Sequence, residues 1–216
     1  MTSRSVRVVY QPILDMQSNN VLGYEALARG PNEEKAQDMF YEANRIGLSR
    51  ELEIQCMQKA LANAPEGVIF INIQPLTLLY LLNRLEPLPK AEHVVFELVE
   101  TEEFPFDYKS EFVLSIKELQ SRGYKFAIDD MASGFNRLEL VQLLHPDYIK
   151  LDKPLTNGSF YSTVILKNVV NMAKALKIKT IAECIETPKQ LNMVKSLGVE
   201  YGQGFLLGKC FSLTNF

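Results

Sequence analysis

The sequence is poor in the residues that build disulfide frameworks and most transition-metal sites. Its 216 residues include three cysteines, two histidines and no tryptophan. Cys56, Cys184 and Cys210 are widely spaced and form no Cys-x-x-Cys pattern, so they indicate neither a disulfide framework nor a zinc ribbon. His93 and His145 lie in no His-x-x-x-His or Glu-x-x-His spacing, which is more typical of structural histidines. Any metal bound by this chain must therefore be held mainly by oxygen.

A large excess of charge and a long apolar run are also missing. The formal net charge is −3, which gives no indication of a basic nucleic-acid surface. The longest nearly apolar stretch, Leu76 to Leu82, is far shorter than the roughly 20 residues of a membrane-spanning helix. The first residues lead directly into a strand-like segment at Val6, which leaves no room for a signal peptide. We therefore expect a cytoplasmic protein that binds no DNA or RNA duplex and inserts no segment into a membrane.

What the sequence does contain is a regular alternation of short apolar runs with segments of helical periodicity. No linker divides them, so we expect a single domain over residues 1–216. The predicted strands are Val6–Ile13, Val21–Leu27, Val68–Ile73, His93–Leu98, Lys125–Ile128, Tyr148–Leu151, Lys179–Ala182 and Gly202–Leu206. The predicted helices are Glu34–Ile46, Ser49–Ala62, Leu76–Leu85, Tyr108–Arg122, Arg137–Leu144, Phe160–Leu176 and Pro188–Leu197. Such alternation is typical of parallel strands joined by crossover helices.

Eight strand-like runs that are apolar on both faces favour a closed barrel, although a doubly wound open sheet is an alternative. The first two runs are separated only by the turn-rich segment Asp15–Asn20, which is too short for a helix. These two strands should therefore form an antiparallel hairpin. The fold class we predict is α/β, a TIM-like (β/α)8 barrel with an antiparallel first strand.

Polar residues recur at or near the ends of these predicted strands. They are Glu25, Asn72, Glu97, Asp129, Asp130, Lys150, Glu183 and Gln203. In a parallel barrel the carboxyl ends of the strands face one mouth, where the active sites of this architecture lie. We therefore expect these side chains to converge on one site.

A ring of carboxylates without compensation would repel itself strongly. Divalent cations remove this repulsion, and carboxylates with one amide oxygen suit hard ions such as Mg²⁺ or Mn²⁺ better than Zn²⁺. Two such ions about 3.5–4 Å apart can lower the pKa of a water and stabilise charge on a phosphate, which predicts phosphoester hydrolysis. Lys150 could deprotonate or orient the water, or stay protonated and stabilise the phosphate; its acidic surroundings favour the charged role.

Single residues of this set also have ordinary interpretations. Asp130 could cap a helix or form a turn, and Asn72 could be a turn residue. Lys150 could pair with Asp152 at the surface, and Glu183 could lie on a solvated helical face. Five independent coincidences at five strand ends are harder to accept than one shared site.

Seven segments of the chain resemble, in order, the motifs of the EAL domain family. They are Tyr24-Glu25-Ala26-Leu27-Ala28-Arg29 preceded by Tyr10-Gln11-Pro12-Ile13, Phe70-Ile71-Asn72-Ile73, Phe96-Glu97-Leu98-Val99-Glu100, Asp129-Asp130 with Ser133-Gly134-Phe135, Ile149-Lys150-Leu151-Asp152, Ile181-Ala182-Glu183-Cys184-Ile185-Glu186-Thr187, and Gln203-Gly204-Phe205-Leu206-Leu207-Gly208-Lys209. The similarity covers essentially the whole chain, and seven matches in register are highly specific. The resemblance implies a TIM-like barrel and an enzyme, a phosphodiesterase that opens cyclic di-GMP to linear pGpG.

The resemblance also implies cofactors, a partner and residue roles. The cofactors are two divalent cations, Mg²⁺ or Mn²⁺, with Ca²⁺ inhibitory, and the implied partner is a second copy of the chain that joins near the loop after Asp130. The implied metal ligands are Glu25, Asn72, Glu97, Asp129 and Asp130. The implied catalytic residues are Lys150, Glu183 and Gln203. Substrate contacts are implied for Gln11, Leu27 and Arg29, and Glu100 is implied to brace the loop after the aspartate pair.

The sequence departs from the family pattern in four places. The usual Asp-Asp-Phe-Gly-Thr-Gly loop reads Asp129-Asp130-Met131-Ala132-Ser133-Gly134, and the segment between Arg29 and Ile46 lacks the usual Trp-x-His-Pro stretch. Cys184 replaces a glycine, and Cys210 stands where a proline is common. Many EAL domains have lost catalysis and act as cyclic di-GMP receptors or protein-interaction regulators, so a catalytically silent domain is the alternative. Its commonest signature, the loss of a metal ligand, is absent from this sequence.

Overall fold

The elements follow one another in the order that the sequence predicts. A computed structural model describes residues 6–83, 88–99, 109–131 and 137–213 of the chain. The strands are β1 (Arg7–Asp15), β2 (Val21–Arg29), β3 (Val68–Ile73), β4 (Val94–Leu98), β5 (Lys125–Ile128), β6 (Tyr148–Leu151), β7 (Lys179–Ala182) and β8 (Tyr201–Gly202). The helices are α1 (Ala36–Arg45), α2 (Ser49–Ala62), α3 (Pro75–Asn83), α4 (Lys109–Ser121), α5 (Arg137–Leu144), α6 (Lys153–Thr156), α7 (Phe160–Leu176) and α8 (Pro188–Leu197).

The eight strands close into a barrel in sequence order, which confirms the predicted TIM-like fold. Strand β1 pairs antiparallel with β2 on one side and with β8 on the other, whereas the pairs from β2 to β8 are all parallel. The hairpin turn between β1 and β2 is fixed by Asp15, whose Oδ1 accepts hydrogen bonds from the backbone N–H groups of Gln17 and Ser18. The first strand is therefore antiparallel, as predicted.

The eighth strand is present, but its predicted bounds, Gly202–Leu206, are wrong: it spans Tyr201–Gly202. Strand β8 ends at Gly202 because Gly204 adopts φ 152° and begins a tight turn, in which Leu207 N–H donates to the Gly204 carbonyl. Because β8 pairs with β1 only at Leu14 and Asp15, the earlier part of this β1 edge is covered by Phe211, which exchanges two backbone hydrogen bonds with Tyr10.

Smaller differences concern the ends of elements. His93 belongs to a short 3-10 turn, Ala91–His93, rather than to β4. Helix α6 was not predicted, because four residues are too few to show helical periodicity. The predicted helices Leu76–Leu85 and Tyr108–Arg122 extend into residues outside those described.

One apolar layer fills the interior of the barrel and fixes which side chains reach its mouth. The layer consists of Ile13, Phe70, Val95, Ala127, Tyr148 and Ile181. Along a strand, the next side chain on the same face is two residues away. For the parallel strands this step leads toward the carboxyl end and gives Asn72, Glu97, Asp129, Lys150 and Glu183. Because β1 runs the opposite way, the corresponding step from Ile13 leads back to Gln11.

The helices cover the outside of the barrel. Helix α7 buries Leu166 and Val170 against it, and its first turn is capped by Ser159, whose side chain accepts from Ser162 N–H. Within the described residues, no helix combines the length and the apolar character that crossing a bilayer requires.

Candidate metal and phosphoester site

Lys150 lies at the centre of a ring of carboxylates at the mouth of the barrel. Its Nζ atom is 2.7 Å from an oxygen of Glu183, 3.2 Å from Glu97, 3.3 Å from Asp129 and 3.4 Å from Glu25. The Lys150 side chain is 1% exposed and that of Glu97 is fully buried. The fold therefore brings these five residues together at the mouth of the barrel, as the strand ends predict.

Two of the ordinary interpretations are wrong. Lys150 is not part of a surface ion pair with Asp152, because its ammonium is buried within the acidic ring. Glu183 does not lie on a solvated helical face, since it follows β7 and its side chain is only 16% exposed. Both residues face the mouth of the barrel because each lies two positions beyond an interior apolar residue.

Amide side chains orient Glu25 from both sides. Asn72 Nδ2 donates to Glu25 Oε1 at 3.0 Å, and Gln203 Nε2 donates to Glu25 Oε2 at 2.6 Å. Gln203 Nε2 also donates to Gln11 Oε1 at 3.0 Å, while Gln11 Nε2 donates to the Gly208 carbonyl at 3.2 Å. Gln11 thus ties the segment after β8 to the acidic ring.

The charge of Lys150 is set by its neighbours. Burial alone would lower the pKa of Lys150, but the surrounding carboxylates outweigh it and raise this pKa well above its ordinary value. Burial alone would likewise raise the pKa of Glu25, but the Lys150 ammonium and the hydrogen bonds from Gln203 and Asn72 lower it. Lys150 and Glu25 therefore form an ionised pair.

One ammonium is too little positive charge for the whole ring. Burial raises the pKa of Glu97 well above its ordinary value, and the neighbouring carboxylates add to the effect. Burial also raises the pKa of Glu183 to about 8 and that of Asp130 to about 6, with repulsion from Asp129 contributing to both. These carboxyl groups would ionise more readily beside further positive charge.

The donor set fits hard divalent cations. Asp129, Asp130 and Glu183 each offer a carboxylate oxygen, and these atoms lie within 4.8 Å of one another. Among the described residues, the buried Gln203 Oε1 has no hydrogen-bond partner, and the buried Glu97 Oε1 and Asp129 Oδ1 have only the ion pair with Lys150. Buried oxygen atoms of carboxylates and amides that lie close together are the ligands that Mg²⁺, Mn²⁺ or Ca²⁺ prefer.

A cavity of about 270 Å³ opens beside this ring. It is lined by Gln11, Glu25, Leu27, Glu183, Cys184, Glu186, Gln203, Gly204 and Phe205. Two of the three predicted substrate contacts, Gln11 and Leu27, are in this lining. Arg29 is not, and its Nη1 donates instead to the Ala28 carbonyl at 2.8 Å. Glu100 lies outside the described residues.

Four loop residues of the cavity were not predicted as site residues, namely Cys184, Glu186, Gly204 and Phe205. Glu186 follows β7 by four residues, and Phe205 is 65% exposed in the turn after β8. Position 204 requires glycine because the backbone of Ile185 passes close to it: a Cβ atom there would lie 2.3 Å from that backbone. The glycine beside Gln203 was the one available sequence signal for this turn.

Cys184 adopts the left-handed backbone conformation, with φ 54°. This conformation is strained for a residue that has a Cβ atom and unstrained for glycine. Replacing Cys184 by glycine should therefore stabilise the protein by about 0.5–1 kcal/mol after the larger chain entropy of unfolded glycine is subtracted. Urea unfolding measures the change. The matched variant is Cys210→Gly, at a half-buried cysteine without positive φ, which should lose stability. Equal losses for both variants would contradict strain at Cys184.

A buried acid also lies outside the ring, on α2. Glu53 is 6% exposed, and its Oε1 accepts a hydrogen bond from the Gln74 N–H at 2.5 Å. Burial raises the pKa of Glu53 to about 7 from its ordinary 4.5. Sequence periodicity could not distinguish it from the exposed Glu51, because the apolar residues of α2 do not gather on one face of the helix.

The raised pKa of Glu53 predicts a pH-dependent stability. The folded state holds the Glu53 proton more tightly than the unfolded state does. The stability that this protonation contributes is therefore fully present below about pH 4.5 and is lost as the pH rises through about 7. Glu53→Gln removes this titration, and the variant should gain stability relative to the wild type between about pH 5 and about pH 8. Urea unfolding in the presence of a chelator measures the difference. A constant difference across this range would contradict the assignment.

The sequence matches the model of the EAL domain over residues 1–210. The chain is 30% identical to the probable cyclic di-GMP phosphodiesterase PdeB of Escherichia coli K12, over 99% of its own length and 44% of that relative. It is 28% identical to the blue light- and temperature-regulated antirepressor BluF of the same organism, over 93% of this chain and 53% of the relative. The chain thus spans about half the length of these curated relatives.

The fold is also shared with solved structures. A manganese/cy-diGMP complex of BlrP1 from Klebsiella pneumoniae at pH 6 superimposes with a TM-score of 0.81 at 26% identity, over 97% of this chain and 57% of that one. The barrel with one antiparallel strand, the acidic mouth and the match over residues 1–210 lead to one assignment. The chain belongs to the EAL domain family.

Proposed function

We propose that this chain is a metal-dependent phosphodiesterase that hydrolyses cyclic di-GMP to linear pGpG and so lowers the level of this messenger. The observation that carries the proposal is the acidic ring around Lys150, in which every predicted ligand position holds an oxygen donor. PdeB, a relative at 30% identity, is named a probable cyclic di-GMP phosphodiesterase.

Two divalent cations, Mg²⁺ or Mn²⁺, are the proposed cofactors, with Ca²⁺ inhibitory. The residues that would hold them are Glu25, Asn72, Glu97, Asp129, Asp130 and Glu183. When bound, such ions supply charge stabilisation for the phosphate and activation of a water. Asn72 suits this role because its Nδ2 donates to Glu25, which leaves its carbonyl oxygen for an ion.

The chain's own residues contribute charge and orientation. Lys150 keeps its proton in this environment, so it would stabilise negative charge on the scissile phosphate rather than accept a proton. Gln203 holds Glu25 through its Nε2 and has a buried, unpartnered oxygen that can orient the attacking water. Both groups are held rigidly and cost little reorganisation during reaction.

Substrate would lie in the cavity beside the ring. Leu27 and Phe205 offer apolar surface for a guanine base, and Gln11 and Glu25 line the same cavity. Arg29 would contact a phosphate after its guanidinium leaves the Ala28 carbonyl. Glu100 is proposed to brace the loop after Asp130.

The test is nucleotide analysis of purified protein mixed with cyclic di-GMP and Mn²⁺ or Mg²⁺, beside a metal-free control. We expect pGpG only where metal is present, and less of it when Ca²⁺ is added. A protein that binds metal and cyclic di-GMP without forming pGpG would overturn the enzymatic proposal.

A catalytically silent receptor or protein-interaction regulator is the second candidate. It is supported by the similarity to BluF, which is named an antirepressor, and by Met131 in place of the usual phenylalanine after the aspartate pair. Equilibrium binding of cyclic di-GMP without turnover would establish this role.

We further propose that the chain forms a homodimer through the start of α7. Four large apolar side chains are exposed there, namely Phe160, Tyr161, Val164 and Ile165. A cavity of about 400 Å³ beside them is lined by Met131, Leu155 and Ile165, so this surface adjoins the aspartate pair. A second copy would cover the patch, since large contiguous apolar surfaces on a soluble domain mark interaction sites.

Replacing Ile165 by glutamate should weaken the dimer by at least about tenfold, because an unpaired charge would be buried in its interface. Analytical ultracentrifugation measures the dissociation constant. Leu114→Glu, at an exposed leucine on α4, is the matched control and should leave the dimer unchanged. A wild-type protein that remains monomeric at high concentration would contradict the proposal.

A further inference from the structure

Glu53 reaches from α2 to the segment that leaves β3. Its Oε1 accepts from Gln74 N–H at 2.5 Å, and its carboxyl group also interacts with the Thr77 side chain. Gln74 precedes α3, and its carbonyl accepts from Leu78 N–H in the first turn of that helix. Glu53 therefore fixes the junction between β3 and α3 from a different helix.

This junction carries Asn72, two residues before Gln74. Asn72 Nδ2 donates to Glu25 Oε1 at 3.0 Å, so the position of the β3 end decides whether the amide meets Glu25. Glu53 is thus connected to Glu25 by two hydrogen bonds, one from Gln74 to Glu53 and one from Asn72 to Glu25. The backbone between Asn72 and Gln74 links the two. A displacement of the junction would move Asn72, one of the two amides that hold Glu25.

Core packing alone gives no reason for a carboxylate at this position. Glu53 lines a cavity of about 300 Å³ together with Asn72, Gln74, Met57 and Ala60, and its Oε2 is buried without a hydrogen-bond partner among the described residues. A buried polar atom without a partner costs stability that an apolar side chain of similar size would avoid. What the carboxylate supplies, and an apolar side chain would not, is the acceptor for Gln74.

We propose that Glu53 is a positioning residue for metal binding, which holds Asn72 against Glu25 by accepting the Gln74 N–H. The inference rests on the proposed function, because it assigns Asn72 to the metal site. It adds a residue on the outer helical layer to the determinants of metal affinity. Groups behind the direct ligands commonly change metal affinity by about 10–100-fold.

The experiment compares Glu53→Met with Glu53→Gln in the full chain. Methionine fills the space without an acceptor, whereas glutamine keeps an oxygen for Gln74. Glu51→Gln is the matched surface control on the same helix, and Leu52→Ala is the control for lost core stability. Mn²⁺ binding is measured directly by electron paramagnetic resonance without nucleotide, and hydrogen exchange is followed at residues 72–78.

We expect the apparent Mn²⁺ dissociation constant of Glu53→Met to rise about tenfold or more, with faster exchange at residues 72–78. Turnover should recover at saturating Mn²⁺, because the ligands themselves remain. Glu53→Gln, Glu51→Gln and Leu52→Ala should bind Mn²⁺ within about twofold of the wild type.

Three outcomes would overturn the inference. Unchanged Mn²⁺ affinity in Glu53→Met would reject the positioning role and leave the proposed function intact. Equal weakening in Leu52→Ala would show that lost stability, not the Gln74 contact, sets the affinity. A wild-type protein that binds no Mn²⁺ would reject both this inference and the proposed metal dependence.

Discussion

Asp129→Asn will lower the hydrolysis of cyclic di-GMP by about 10²–10³-fold or more, while the barrel remains folded. Asparagine keeps the size of the side chain but removes one of the four carboxylates around Lys150. The remaining ring has less negative charge with which to hold divalent cations, so metal affinity should fall together with turnover. Initial rates of pGpG formation, measured over a range of Mn²⁺ concentrations, give both quantities.

The matched control for this change is Asp38→Asn, an exposed aspartate in the first turn of α1. It makes the same chemical substitution away from the ring and should keep the wild-type rate. Circular dichroism establishes that both variants are folded. A near-native rate in folded Asp129→Asn would remove this residue from the metal site.

Lys150→Met will destabilise the metal-free protein by about 3–5 kcal/mol, because four carboxylates, of which Glu25 and Glu97 are buried, then lose their shared counterion. The loss should be smaller at low pH, where burial lets Glu97 and Glu183 take up protons. Mn²⁺ should restore stability in the variant by binding the folded state. Turnover should stay depressed even when metal is saturating, since the ammonium is still missing.

Chemical unfolding with and without Mn²⁺ measures the first effect, and pGpG formation measures the second. Lys167→Met, on the exposed face of α7, is the control for removing an ordinary surface ammonium. Unchanged stability of metal-free Lys150→Met would mean that the ring does not depend on this charge. Native turnover at saturating Mn²⁺ would discard its catalytic role.

The sequence could predict the acidic ring because the alternation of side chains in strands is strict. Asn72, Glu97 and Lys150 each follow an interior apolar residue by two positions, so the sequence predicts that they lie on the same face of the sheet. The position of Gln11 could not be predicted in this way. It reaches the same mouth only because β1 runs opposite to the other strands, and its place here was implied by family resemblance alone.

Residues in turns were beyond sequence reasoning for a different reason. The eighth strand was predicted too long because Gly204 and Phe205 continue its apolar character, while the turn depends on contact with Ile185 in another loop. Glu53 was missed because burial of one face of α2 depends on how that helix is rotated against β3. Both features are set by tertiary contacts that local sequence patterns do not contain.

The closure of the barrel between β1 and β8 has a consequence for folding. Gln203 donates to Gln11 and Glu25, which are 192 and 178 residues away along the chain, so these hydrogen bonds form only after the two ends of the sheet meet. Contacts of such long range are slow to form, because most of the chain must be ordered first. An intermediate with an open sheet would keep the Asn72 hydrogen bond to Glu25 but lack the one from Gln203, so Glu25 would be held from both sides only after the barrel closes.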